Sequence, residues 1–170
     1  MAFMPVFGLN NGMIPIISYN YGAMKPDRMK RTMKFGVMVG CSIMLFCLVI
    51  MQIFPGQILK IFDATDDMLS MGIPAVRIMS TAFIFAGFSV TCSGMFQAVG
   101  KGVYSMIVSM ARQLFVILPV AYFLSKAMNS VNGVWAAFPI AEIFSVAISL
   151  ILLIRVYKKI VKPLENGQIV

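Results

Sequence analysis

From Met1 to Met24 the chain carries no charged side chain, and four more stretches of similar length carry at most one each. They run at 35–55, 75–98, 102–125 and 133–154. A helix needs about 20 mostly apolar residues to cross the hydrocarbon core of a bilayer. Inside that core the backbone must satisfy its own hydrogen bonds, as a helix does. The expected fold is therefore an all-α, polytopic membrane bundle of five transmembrane helices.

Composition agrees. Of 170 residues, 60% are hydrophobic and only 12% are charged, against about a quarter in a soluble domain. A soluble domain of this length leaves much of its surface in water and needs charge there. Disorder needs the opposite balance. The five stretches fill most of the chain, so 1–170 reads as one membrane domain without a soluble module.

The first stretch is too long for a secretory signal peptide and has no basic residue ahead of it. It opens without a polar preamble, which suggests a chain cut from something longer. Histidine is absent, which removes Ser-His-Asp and Cys-His chemistry and histidine zinc sites. Cys41, Cys47 and Cys92 lie within apolar runs and read as packing residues. The chain does not read as an enzyme, and no metal or cofactor site is expected.

Basic residues set sidedness. Lys25, Arg28, Lys30, Arg31 and Lys34 crowd the loop 25–34. Arg155, Lys158, Lys159 and Lys162 lie in the tail 155–170, and Lys101 marks the turn between spans three and four. Placing these on the cytoplasmic side puts ten of fourteen basic residues there. Strict alternation over five spans gives the same sides. The expectation is a multi-pass protein of the cell membrane with a cytoplasmic C-terminus. The basic clusters flank apolar runs, so a lipid bilayer is the expected partner and nucleic acid is not. The segment 56–74 becomes an extracytoplasmic loop, in which Thr65 is suited to cap a short surface helix. Asp63, Asp66 and Asp67 read as solvated, a divalent-cation site being the weaker reading.

Arg112 and Glu142 are the ionisable residues deep within spans. Such groups face the bundle interior or a water-filled cavity. Arg112 lies ten residues past Gly102, or roughly 15 Å at about 1.5 Å per residue. Glu142 lies twelve residues before Ile154, or roughly 18 Å from the same side. Matching depth on adjacent antiparallel spans suggests a direct pair in a proton, ion or substrate path. The alternative is structural: Arg112 snorkels to the surface and Glu142 sits protonated against Ser145.

Span one carries a stripe of small or polar residues, Gly8, Asn11, Gly12, Pro15, Ser18, Tyr19 and Gly22, at three- and four-residue steps. Gly8 and Gly12, like Gly36 and Gly40 on span two, have the spacing of close helix approach. Span three places Ser80, Gly87, Thr91, Gly94 and Gln97 along one side. Pro15, Pro119 and Pro139 suggest kinks in spans one, four and five.

Three strings go further. Gly8–Gly36, GLNNGMIPIISYNYGAMKPDRMKRTMKFG, resembles the eighth helix and following loop of the multidrug and toxic compound extrusion (MATE) family. Met95–Ser125 is similar to that family's tenth-to-eleventh helix junction, and GVWAAFPIAEI at Gly133–Ile143 to its twelfth helix. The resemblance implies a piece of the C-terminal lobe, helices eight to twelve of twelve, with the N-terminal helices missing. It implies export of cationic or amphiphilic small molecules in exchange for protons or sodium ions. It also implies polar cavity or substrate-path roles for Asn11, Tyr19, Asn20, Gln97 and Gln113, beside Arg112 and Glu142. Gly100 and Pro119 match recurring positions too. The chain departs from some members in having no acidic residue from Ile73 to Ala98. Glu142 is then the only intramembrane carboxylate, and a sodium site on the tenth helix is not expected. Alternating access needs one repeat to rock against another, so transport by this chain alone is not expected. The other readings are a related lipid-linked sugar flippase, disfavoured by the single intramembrane arginine, and a small non-transporting membrane scaffold.

Overall fold

The computed structural model of the chain describes residues 3–128 and 131–166. Residues 1 and 2 of the first expected span and 167–170 of the expected tail lie outside the described residues. Among the described residues every regular element is helical. They are α1 (Met4–Gly22), α2 (Pro26–Ile53), α3 (Pro55–Ile61), α4 (Asp66–Ser80) and α5 (Phe83–Ala98). Next come α6 (Gly102–Met110), α7 (Leu118–Met128), α8 (Asn132–Val156) and α9 (Lys162–Glu165). Two π-helical stretches, Ala111–Ile117 and Tyr157–Val161, fuse α6 to α7 and α8 to α9.

Local chemistry places several ends. Proline opens α2 and α3, where its missing N–H costs no helical hydrogen bond. Thr65 caps α4, its Oγ1 accepting from the Met68 amide at 3.5 Å. Asp66 and Asp67 then occupy the first turn, where the helix dipole favours negative charge.

Five expected spans become fewer. Among the described residues, three helices are long and apolar enough to cross a membrane: Pro26–Ile53, Gly102–Met128 and Asn132–Glu165. A fourth arises if α4 and α5, bent by 54°, count as one broken span. The expected third span is therefore interrupted at Thr81 and Ala82. At the break, Gln52 Nε2 donates to the Arg77 carbonyl at 2.9 Å and to Ser80 Oγ at 3.1 Å. The first stretch forms α1 but is less apolar, because Asn10, Asn11, Ser18 and Asn20 interrupt it. The boundaries move too. The segment 25–34 is helical from Pro26, 56–74 is largely α3 and α4, and helix continues through 155–165. Charged side chains at a helix end need no loop, since they reach water from the helix itself.

The helix α5 is the buried axis of the bundle, packed by α1, α2, α6 and α8. Asn10 Nδ2 donates to the Val90 carbonyl at 2.9 Å and Ser18 Oγ to the Ala98 carbonyl at 2.8 Å. Both sites advance by eight residues on each helix, so α1 and α5 run parallel. Glycine sets the closeness of α2. A Cβ on Gly36 would collide with the Met13 thioether, and one on Gly40 with Thr91 Oγ1. The Gly36/Gly40 pair is thus a packing motif. Gly8 and Gly12 are not: a Cβ on either meets open space. The apolar core lies toward the basic end, where Ile17, Met29, Phe96, Val156, Ile160 and Leu164 meet. Outward, Phe46, Phe115, Leu118, Phe123 and Ile143 are exposed, a surface that lipid tails suit and water does not.

Candidate functional site

Arg112 and Glu142 meet. The Arg112 guanidinium donates from Nη1 to Glu142 Oε1 at 2.6 Å. The carboxylate is 8% exposed and the arginine side chain 26%. Arg112 is the second residue of the π-helical stretch Ala111–Ile117. That stretch occupies the turns just before Pro119, whose ring crowds the carbonyl a turn behind it and which has no N–H to donate. A π turn widens the helix and shifts the direction of the side chains on it, and such turns recur at functional sites. Glu142 sits on α8, one turn past Pro139.

The pair separates two cavities. The first, about 230 Å³, is polar and lies among α1, α5, α6 and α8. Asn10, Asn11, Ser89, Ser93 and Gln97 line it, with Ser105, Ser109, Arg112 and Ser145 from the other helices. Asn10 Oδ1, Ser89 Oγ and Ser145 Oγ are buried without a hydrogen-bond partner among the described residues. Buried polar atoms of this kind are normally satisfied by water or ligand, so the cavity is chemically suited to hold either. The second cavity, about 410 Å³, is mostly apolar. Phe3, Met51, Phe62, Val76, Met79 and Phe138 line it, together with Ser80 and Glu142. Arg112 thus borders the polar chamber and Glu142 the apolar one, and among the described residues Glu142 Oε2 is buried without a partner.

The expected polar residues divide. Asn11 and Gln97 line the polar cavity, and Gln97 Nε2 donates to Ser105 Oγ at 3.1 Å. Asn20 is buried, but its amide donates to the Ile16 carbonyl of its own helix at 2.8 Å. Tyr19 is 72% exposed and Gln113 is exposed as well, and neither borders this cavity. Of the α1 stripe, Gly8, Gly12, Pro15 and Tyr19 are exposed away from this cavity and Asn11 is exposed at its edge, while Val6, Asn10, Met13 and Ile17 pack inward.

Span three is corrected in the same way. Thr91 donates to its own helix at Gly87, and Gly87 and Gly94 receive α2 and α1. The cavity face is instead Ser89, Ser93 and Gln97, spaced by four residues. Ser105, Ser109 and Arg112 form the matching stripe opposite. These serines were missed because serine is common in membrane helices. The i, i+4 repeat on two successive spans is the signal that finds them. The alternative, Glu142 held against Ser145, is not what forms: among the described residues Ser145 Oγ has no hydrogen-bond partner, and Glu142 Oε1 accepts from Arg112.

Residues 1–123 match the family model described as MatE. The chain belongs to the MATE family. Among its relatives, the multidrug export protein MepA of Staphylococcus haemolyticus is 26% identical over 131 residues, covering 77% of this chain and 28% of MepA. MepA of Staphylococcus saprophyticus is 27% identical, covering 86% of this chain and 32% of that protein. The chain thus spans about a third of the length of these curated relatives. A solved structure of the MATE multidrug transporter DinF-BH superposes with a TM-score of 0.83 at 29% identity. It covers 92% of this chain and 35% of that one. An inward-facing MATE family transporter gives a TM-score of 0.85 at 18% identity, covering 97% of this chain and 38% of its own. An outward-facing one gives 0.85 at 18%, covering 97% and 36%. At that identity the likeness is one of fold. MATE proteins are membrane transporters rather than enzymes, and the all-helical bundle described above has their fold.

Proposed function

We propose that this chain forms part of the C-terminal lobe of a multidrug efflux transporter driven by protons or sodium ions. Its cargo would be cationic or amphiphilic small molecules, and its C-terminus would be cytoplasmic. Glu142 is the group that responds to the coupling ion, and Arg112 is its electrostatic partner. Asn11 and Gln97 line the path, while Tyr19, Asn20 and Gln113 act outside the polar chamber. Pro15, Pro119 and Pro139 loosen the helices around it.

The observation that carries this reading is the position of Glu142. Its carboxylate borders the apolar cavity and pairs with the arginine that borders the polar one, with one oxygen unpartnered among the described residues. Neutralising Glu142 would release Arg112 toward the polar chamber, where serine and asparagine oxygens can accept its N–H groups. Its charge state therefore couples to the shape of the partition between the cavities.

The test is coupled drug efflux from proteoliposomes, using the protein expressed from its complete reading frame. Glu142→Gln should abolish uptake driven by an ion gradient while substrate binding persists. Undiminished efflux by Glu142→Gln would remove this residue from coupling.

A further inference from the structure

A third cavity, about 240 Å³, opens at the basic end of the bundle. Lys101, Arg155 and Lys159 line it, with Tyr104, Val156 and Ile160. The geometry points to a site for the phosphate group of an anionic phospholipid, held by Lys101, Arg155 and Lys159 against the start of α6. This goes beyond the coupling reading of Glu142 and does not depend on it.

Three cations line one small pocket, and among the described residues no carboxylate lines it. Like charges at such range repel unless an anion lies among them. Among the described residues, Asp27 and Glu165 at this end are engaged elsewhere. Lys30 pairs with Glu165 at 2.6 Å and with Asp27 at 3.0 Å. None of Lys101, Arg155 and Lys159 makes an ion pair among the described residues.

The backbone adds to the cations. Gly100 adopts φ +73°, a left-handed turn that reverses the chain between α5 and α6. Lys101 then becomes the residue before α6, with no side-chain cap on the helix and no acid in its first turn. Its free N–H groups and dipole favour an anion. The space at Gly102 is open. On the opposite wall, Arg155 and Lys159 lie one turn apart on the helix that runs from α8 through Tyr157–Val161.

A lipid source, rather than free phosphate, follows from what flanks the pocket. Val103 and Met106 are exposed on α6, and Ile151 and Ile154 on α8, all within about two turns of the pocket residues. They offer acyl chains an apolar surface beside a headgroup site, as in basic pockets between membrane helices.

Native mass spectrometry of the detergent-purified chain tests the site, with dioleoyl phosphatidylglycerol, dioleoyl phosphatidylcholine and inorganic phosphate as probes. The unaltered chain should retain phosphatidylglycerol over phosphatidylcholine. The triple variant Lys101→Gln, Arg155→Gln, Lys159→Gln should weaken phosphatidylglycerol binding at least about tenfold. A control triple, Lys25→Gln, Arg28→Gln, Arg31→Gln, removes equal charge from the same end and should leave binding within about threefold. Circular dichroism verifies helicity. Should the triple not fold, Lys159→Gln alone, at an exposed position, should weaken binding about threefold or more. Equal retention by a folded pocket variant, or an equal loss in the control, overturns the site. Inorganic phosphate binding as tightly as phosphatidylglycerol overturns the lipid assignment.

Discussion

Arg112 and Glu142 lie 30 residues apart in sequence, yet the guanidinium donates to the carboxylate at 2.6 Å through a wall between a polar and an apolar cavity. The two residues are adjacent because α8 runs back along the helix formed by α6, the π turns and α7. A buried ion pair of this kind stabilises little by itself, since desolvation offsets attraction. Breaking it is costly, because one partner is left behind.

A double-mutant cycle should therefore show strong coupling. Arg112→Leu leaves Glu142 enclosed and should destabilise by about 3 kcal/mol, limited by the carboxyl's ability to take up a proton. Glu142→Leu should cost less, because the partly exposed arginine can turn to water in the polar cavity. The double variant should lose clearly less stability than the two single losses added together. Unfolding in detergent followed by the circular dichroism signal reads this, and strict additivity contradicts a working pair.

The glycines should rank by what a methyl group would strike. Gly40→Ala drives a Cβ into Thr91 Oγ1 at a closely packed crossing of α2 and α5. A loss of about 1–3 kcal/mol is expected. Gly36→Ala meets only the flexible end of Met13 and should cost less. Gly8→Ala meets nothing and should be neutral or stabilising, by up to about 1 kcal/mol from helix propensity. Thermal unfolding of the three variants side by side gives the order.

Cavity lining is open to chemical modification. In a background with Cys41, Cys47 and Cys92 replaced by alanine, Ser93→Cys and Ser109→Cys should react with a water-soluble methanethiosulfonate. Thr91→Cys, two residues from Ser93 but fully buried against its own helix, should react at least about tenfold more slowly, since reagent reaches only thiols open to water. Equal rates at all three positions contradict the assigned faces of α5.

The break between α4 and α5 rests in part on a side chain from α2. Gln52→Leu removes donors to the Arg77 carbonyl and Ser80 Oγ. The loss should be about 1 kcal/mol, as Ser80 Oγ still donates to that carbonyl at 3.0 Å. Hydrogen exchange should quicken at Thr81–Ala86 and stay unchanged in α8.

Much of this was legible in the residues. The matching depths of Arg112 and Glu142 follow from the rise of a helix, which is local and uniform. The cap at Thr65 is local chemistry as well. The break at Thr81 and Ala82 was not legible, because uncharged sequence runs straight through it. The π stretch before Pro119 was not legible either. Proline announces a disturbance, but neighbouring helices decide whether the chain kinks, breaks or widens.

The sequence by itself determined that the chain is helical and membrane-bound, with two charges at matching depth. Span length and apolarity depend on consecutive residues, so no partner is needed to read them. Tertiary structure decided which polar residues share a chamber. Ser89, Ser93 and Gln97 face it, while Thr91 and Gly94 do not, because glycine contacts with α1 and α2 set the rotation of α5. That rotation comes from contacts between residues about fifty to eighty positions apart. The i, i+4 repeat of Ser89, Ser93 and Gln97 marks a polar face, but the competing stripe of Gly87, Thr91 and Gly94 is as regular, and only packing decides between them.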